Sequence, residues 1–146
     1  MSEIPQQPAA PQPPTMPPAK KDTTMGWLAH LLMLFTWFIG PMVIWLVKKD
    51  EDKYAAFHGK QAMCWSLAVT VVIIVAYLFV FLLALALAPL AFLGACFIWL
   101  AGIGNLVYVI FGIVYTAQNK VFKYFFVADQ FCKKEFAEAY PGAPVA

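Results

Sequence analysis

Residues 61–119, QAMCWSLAVTVVIIVAYLFVFLLALALAPLAFLGACFIWLAGIGNLVYVIFGIVYTAQN, run for 59 positions without a lysine, arginine, aspartate or glutamate. One helix crosses a hydrocarbon core of about 30 Å in roughly 20 residues, so this stretch is too long for one span and suits two joined by a tight turn. Pro89 marks the expected turn, because the residue before a proline is pushed out of helical backbone. The two helices are then expected over 61–88 and 93–119. Composition agrees: 62% of residues are hydrophobic and 12% charged, with a mean hydropathy of +0.72, against about 25% charge in soluble domains. The expected fold class is all-α, an integral membrane helical bundle with the lipid bilayer as its first partner.

A second charge-free segment lies upstream, 25 residues from Thr23 to Val47. Trp27 and Trp45 bracket it, 18 residues apart, or about 27 Å along a helix, the separation of the two headgroup belts where tryptophan collects. Lys48 and Lys49 follow at once. Gly40-Pro41 interrupts the segment, since proline lacks a backbone donor and crowds the preceding turn. Two arrangements follow: a kinked crossing helix, or a re-entrant hairpin broken at Gly40-Pro41. The paired tryptophans favour the crossing, which gives about three transmembrane helices in all.

Three regions result. Residues 1–24 form a polar tail holding seven of the eleven prolines; Pro5, Pro8, Pro11, Pro14 and Pro17 recur at the three-residue period of polyproline II, read as a stiff disordered spacer. Residues 25–119 form the transmembrane domain, with 48–60 as a water-exposed connector and interfacial lead-in. Residues 120–146 form an interfacial tail: on a helical wheel Val121, Phe125, Ala128, Cys132 and Phe136 share a side, opposite Lys120, Lys123, Gln130, Lys134 and Glu138, as in an amphipathic helix lying in the headgroup plane.

Lysine placement orients the chain. With three crossings the connector and the C-terminal tail share a side with eight lysines against Lys20 and Lys21 on the other; with a hairpin the split is ten to none. Either way the positive-inside rule puts the C-terminus in the cytoplasm, as a multi-pass protein of a bacterial inner membrane.

Few residues offer chemistry. An ionisable group inside a bilayer is a functional hypothesis by default, and His30 is the clear candidate. His58 is the second histidine; a crossing helix would hold the two about 25 Å or more apart, so only the hairpin lets them meet, and no third metal ligand is evident. Asn105, deep in the last span, is read as glue between helices, as are Ser66 and Thr70. Cys64, Cys96 and Cys132 are widely spaced and read as small apolar fillers. The apolar block carries no carboxylate for an acid–base pair, so the expectation is no enzyme, no cofactor and no metal. No arginine occurs in the chain, and its fork is the usual means of gripping phosphate; nucleic acid is not an expected partner. A role through helix–helix association, with a second copy or another membrane protein, remains, beside a transport or translocation component.

The order Trp27-Leu28-Ala29-His30-Leu31, Gly40-Pro41-Met42-Val43-Ile44-Trp45-Leu46-Val47-Lys48-Lys49-Asp50, Phe57-His58-Gly59-Lys60-Gln61-Ala62 and Gly112 through Lys120 resembles a family of small bacterial and archaeal membrane proteins, Tic-twenty-like, that is similar to the twenty-kilodalton component of the chloroplast inner-envelope translocon. The likeness covers about residues 25–126. It implies a multi-spanning helical domain of undefined role, with preprotein translocation as an analogy.

Overall fold

The computed structural model describes residues 21–142; almost all of the proline-rich tail lies outside them. Six helices follow in order: α1 (Thr23–Thr36), α2 (Ile39–Lys48), α3 (Lys53–Ala86), α4 (Ala88–Ala117), α5 (Val127–Phe131) and α6 (Lys133–Ala139). Among the described residues α3 and α4 are the helices long and apolar enough to cross a membrane. Their outer faces are uncovered: Phe92, Phe97 and Trp99 are 70%, 72% and 73% exposed, a surface that suits hydrocarbon.

The two long helices form an antiparallel hairpin. A Cβ on Gly94 would lie 2.8 Å from the Val80 side chain, and Trp65 donates its indole N–H to Asn105 at 2.9 Å; both pairs are nearly symmetric about Leu87. The break falls at Leu87 and leaves Pro89 inside the first turn of α4. That corrects the expected turn at Pro89: the first turn of a helix is where a missing N–H costs nothing.

The upstream segment is not one helix. α1 starts on Asp22, whose carboxylate accepts from the N–H groups of Thr24 and Met25, and stops at Trp37, whose φ of 59° and ψ of −130° no helix permits. Gly26 lies against Tyr54, His30 against His58, and Trp37 donates to Thr70 at 2.7 Å, so α1 runs beside α3 in the same direction. α2 then returns, its Pro41 and Trp45 backbone against Gly59. The segment is thus a re-entrant hairpin, too short in either arm to cross. Gly40 and Pro41 are not its breaking point, since both sit in the first turn of α2; the reversal is at Trp37-Phe38. Trp27 and Trp45 consequently mark one end of the molecule rather than two.

Two further expectations change. The lead-in at 54–60 is the buried first part of α3, capped by Asp52, which accepts from the N–H of Tyr54 and Ala55 and, through its other oxygen, from the N–H of Asp22. The C-terminal tail is not one amphipathic helix. Residues 118–126 are non-helical, two short helices follow, and Ala128, Cys132 and Phe136 are buried against α3 with Tyr54 and Phe57, while Val121 and Phe125 turn outward. Ion pairs of Lys60 with Glu135, Lys123 with Asp129 and Lys53 with Glu138 border this contact.

Gly59→Ala is expected to lower stability by about 1–3 kcal/mol through overpacking, because its methyl would meet the Trp45 nitrogen at 2.8 Å and the Pro41 carbonyl oxygen at 3.0 Å, backbone atoms that cannot rotate away. Gly102→Ala, with nothing within 4 Å, should instead raise monomer stability by about 0.5–1 kcal/mol from backbone entropy. Unfolding of the detergent-solubilised monomer checks both.

Candidate functional site

The polar interior is assembled where the re-entrant hairpin, the start of α3 and the tail converge. Tyr54, His58 and Gln61 recur at four- and three-residue spacing on one face of α3, as helical geometry requires of neighbours. α1 brings His30 onto that face, and the tail brings Tyr124 and Tyr140. His30, His58, Gln61 and Tyr124 are fully buried, and Tyr140 is nearly so.

Gln61 fixes the polarity of the whole arrangement. Its side-chain oxygen faces the N–H of Tyr124 at 3.2 Å, and its nitrogen faces the carbonyl of Phe122 at 3.2 Å and Nδ1 of His58 at 2.8 Å. The reverse amide orientation would set donor against donor and acceptor against acceptor, so the –NH2 group donates to both Phe122 and His58. Nδ1 of His58 is therefore an acceptor and its Nε2 carries the proton, donated to the Tyr140 hydroxyl at 2.9 Å. Nε2 of His30 approaches the same Nδ1 at 3.0 Å and must donate; its Nδ1 then accepts from the Tyr124 hydroxyl at 3.1 Å. Tyr54, whose ring meets that of Tyr140 edge-on with centroids 5.6 Å apart, donates separately to the Thr116 carbonyl at 3.2 Å. The result is one directed chain: Tyr124 to His30 to His58 to Tyr140.

Aromatic packing seals it. Tyr124 stacks on Trp65 with ring centroids 4.8 Å apart and planes 5° from parallel; Phe122 meets His30 edge-on, and Phe57 meets His58 likewise. Burial holds the His30 imidazole down at about 3 and pushes the Tyr124 and Tyr140 hydroxyls up, so both tyrosines and His30 are neutral at pH 7. Thr116 Oγ1 is the one buried side-chain polar atom without a partner among the described residues.

The hairpin thus brings together the two histidines that a crossing helix would hold apart. Each of their ring nitrogens has a hydrogen-bond partner, and among the described residues no group of three histidine, cysteine or acidic side chains is placed to hold a metal ion. Asn105 stands apart from the pair, accepting from Trp65 beside a cleft of about 490 Å³ between α3 and α4. Ser66 and Thr70 donate back to the carbonyls of Ala62 and Ser66. Sequence reasoning missed Tyr54, Tyr124, Tyr140 and the role of Gln61. The spacing of Tyr54, His58 and Gln61 on one helical face was a usable signal, whereas nothing local announces two tyrosines delivered by an irregular tail.

Gln61→Leu leaves the Phe122 carbonyl and the Tyr124 N–H without their partner and should cost roughly 3 kcal/mol or more, whereas Tyr124→Phe, which strands only His30 Nδ1, should cost about 1–2 kcal/mol. Unfolding in detergent at neutral pH separates the two.

A family model described as the magnetosome magnetite crystal formation protein family (MamF/MmsF) matches residues 21–131. Comparison with curated proteins and with solved structures finds no match. The match overturns the Tic-twenty-like resemblance and with it the translocation analogy. The residues that carried the likeness are explained by packing: Pro41 and Trp45 form the backbone seat for Gly59, and His58 and Gln61 hold the tail. They mark a way of folding a re-entrant hairpin onto a long helix, which does not identify a translocon component.

Proposed function

Because this chain belongs to the magnetosome magnetite crystal formation protein family, we propose that it serves magnetite crystal formation as a non-enzymatic, two-span membrane protein that acts by associating with further copies of itself. The observation that supports association is the placement of glycines. A Cβ on Gly26, Gly59, Gly94 or Gly112 would lie 2.7–2.9 Å from a neighbouring atom, so each of these is accounted for inside the chain. Gly102 and Gly104 meet nothing within 4 Å, although glycine inside a helix costs about 1 kcal/mol relative to alanine. They border the α3–α4 cleft with Ala68, Ala76 and Ala101, and small side chains of this kind let helix backbones approach closely in lipid.

The non-enzymatic reading is supported by the use already made of every buried side-chain polar atom but one among the described residues. The histidines bond each other and Tyr124 and Tyr140, and among the described residues the carboxylates other than Asp50 stand at helix starts or in ion pairs at the polar end. With the first segment turned back, the nine lysines among the described residues belong to one end of the bundle, and the positive-inside rule assigns that end, with the C-terminus, to the cytoplasm.

Two measurements test this reading. Topology reporters at Asp52 and Ala146 should report the cytoplasmic side and one at Pro89 the opposite side; a reporter split between Asp52 and Ala146 would refute the two-span arrangement. Gly102→Leu should weaken self-association in detergent at least tenfold while leaving the monomer folded. An unchanged monomer–oligomer equilibrium would remove the association mechanism.

A further inference from the structure

The directed hydrogen-bond chain has a property that none of its links has alone: it joins four separate segments through two imidazoles that must both be neutral. His30 comes from α1, His58 from α3, Tyr124 from the irregular stretch before α5, and Tyr140 from the residue after α6. At the central junction, Nδ1 of His58 accepts from both Gln61 and His30. A proton placed on that nitrogen would confront two donors at 2.8 and 3.0 Å. A proton placed on Nδ1 of His30 would turn the Tyr124 hydroxyl away and leave the imidazolium beside its neighbour.

No countercharge is at hand on any side. From the N-terminal approach comes a cation, Lys21, whose Nζ lies 4.3 Å from the Tyr54 ring centroid and 5.1 Å from that of Tyr140. On α3 the facing titratable group is Tyr54, and Asp52 before it spends its carboxylate on three backbone N–H groups. α2 carries Lys48 as its titratable residue, paired with Glu51. From α4, Tyr108 meets Tyr124 edge-on. The tail offers Tyr124 and Tyr140, while Asp129, Glu135 and Glu138 are engaged with Lys123, Lys60, and Lys53 and Lys134.

The tail is also the part best able to leave. Between Tyr124 and α5 the chain reverses at Phe126 with φ 66° and ψ −49°, and Val127 donates to the carbonyl of Phe125 at 2.7 Å; this is the positive-φ γ-turn, a strained and rare form. The non-helical backbone before it is held from outside by Gln61 and by the Tyr108 hydroxyl, which accepts from the N–H of Phe125 and donates to the carbonyl of Lys123. Release of the tail relieves the turn and lets both imidazoles reach water.

We propose that the His30–His58 pair is an acid-operated clasp: protonation of the pair frees residues 120–140 from α1 and α3 and uncovers the Phe57 face of α3, while the α3–α4 hairpin stays in the membrane. This goes beyond the association reading and does not depend on it. The direction follows from linkage. A histidine held below its free value of about 6.5 binds fewer protons in the closed state than in the open one, so closure is fully stable at neutral pH and weakens as pH falls below about 6.5.

Hydrogen exchange of the full chain in lipid nanodiscs tests the clasp, expressed as protection factors so that the intrinsic pH dependence of exchange cancels. Between pH 7 and pH 5 the protection of peptides within 120–140 should fall at least tenfold, with that of peptides within 95–110 unchanged. Tyr140→Phe should lower tail protection at both pH values and leave their ratio as in the unaltered chain, because it removes a link without removing a titrating group. His30→Gln should reduce the pH ratio. Constant tail protection across this range overturns the proposal, as does an equal loss in 95–110, which would be global unfolding. A full pH ratio in a folded His30→Gln chain overturns the assignment to the pair; if that variant does not fold, the pH series of the unaltered chain and the Tyr140→Phe ratio decide.

Discussion

Backbone that is not helical cannot stand bare in apolar surroundings, and this constraint organises everything polar in the molecule. Within the non-helical stretch 118–126, Phe122 and Tyr124 are buried against α1, α3 and α4, so the N–H and C=O groups around them need partners that water does not supply. Gln61 meets Phe122 and Tyr124 much as a neighbouring strand would, and Tyr108 does the same for Lys123 and Phe125. Once Gln61 is committed to the backbone, its remaining N–H has a single direction, toward His58. The hydrogen-bond chain through the histidines is thus a consequence of bringing an irregular segment into the bundle.

The same economy governs the close approaches. The re-entrant hairpin packs on α3 because glycine stands where backbone meets backbone or an aromatic ring: Gly59 beneath Pro41 and Trp45, Gly26 beside Tyr54 and Thr116, Gly112 beneath Phe122. Each removes a methyl that would hold the elements apart. Sheltered there, the start of α3 buries Tyr54, Ala55, Ala56 and Phe57, while the rest of α3 keeps an apolar surface outward. One helix therefore belongs to two environments. Its first two turns form the core of a small globular head, and the remainder is a lipid-facing rod.

That division explains what could be read from the sequence. The charge-free run from Gln61 to Asn119 was enough to predict two long helices folded on each other, since no other structure hides so much apolar surface. Hydropathy does not distinguish a helix that crosses from a hairpin that dips and returns, because both are equally apolar, and the spacing of Trp27 and Trp45 favoured the crossing that the fold does not make. The lysine distribution carried the better signal, ten to none for the hairpin. Pro41 drew attention to the wrong position: proline is disruptive inside a helix and welcome in its first turn, so it sits just after the break at Trp37. The tail was least legible, because Ala128, Cys132 and Phe136 are spent on α3 rather than on lipid, and a helical wheel assumes a helix that residues 118–126 never form.

Why histidine occupies the two central links, rather than asparagine or glutamine, follows from geometry. An imidazole places its acceptor and its donor at different positions on a rigid ring, so it takes a hydrogen bond from one segment and gives one to another. A terminal amide holds its oxygen and nitrogen on the same carbon and faces both toward one neighbour, as Gln61 does with the backbone of residues 122–124. Spanning from Tyr124 on one side to Tyr140 on the other therefore requires two rings in series, and series connection means that one orientation sets the next. Gln61 selects the tautomer of His58, His58 selects that of His30, and His30 fixes the direction of the Tyr124 hydroxyl. Because the choice is made once, at a side chain pinned by two backbone bonds, a proton added at any point reverses against every downstream link. The sensitivity resides in the order of the chain rather than in either histidine alone.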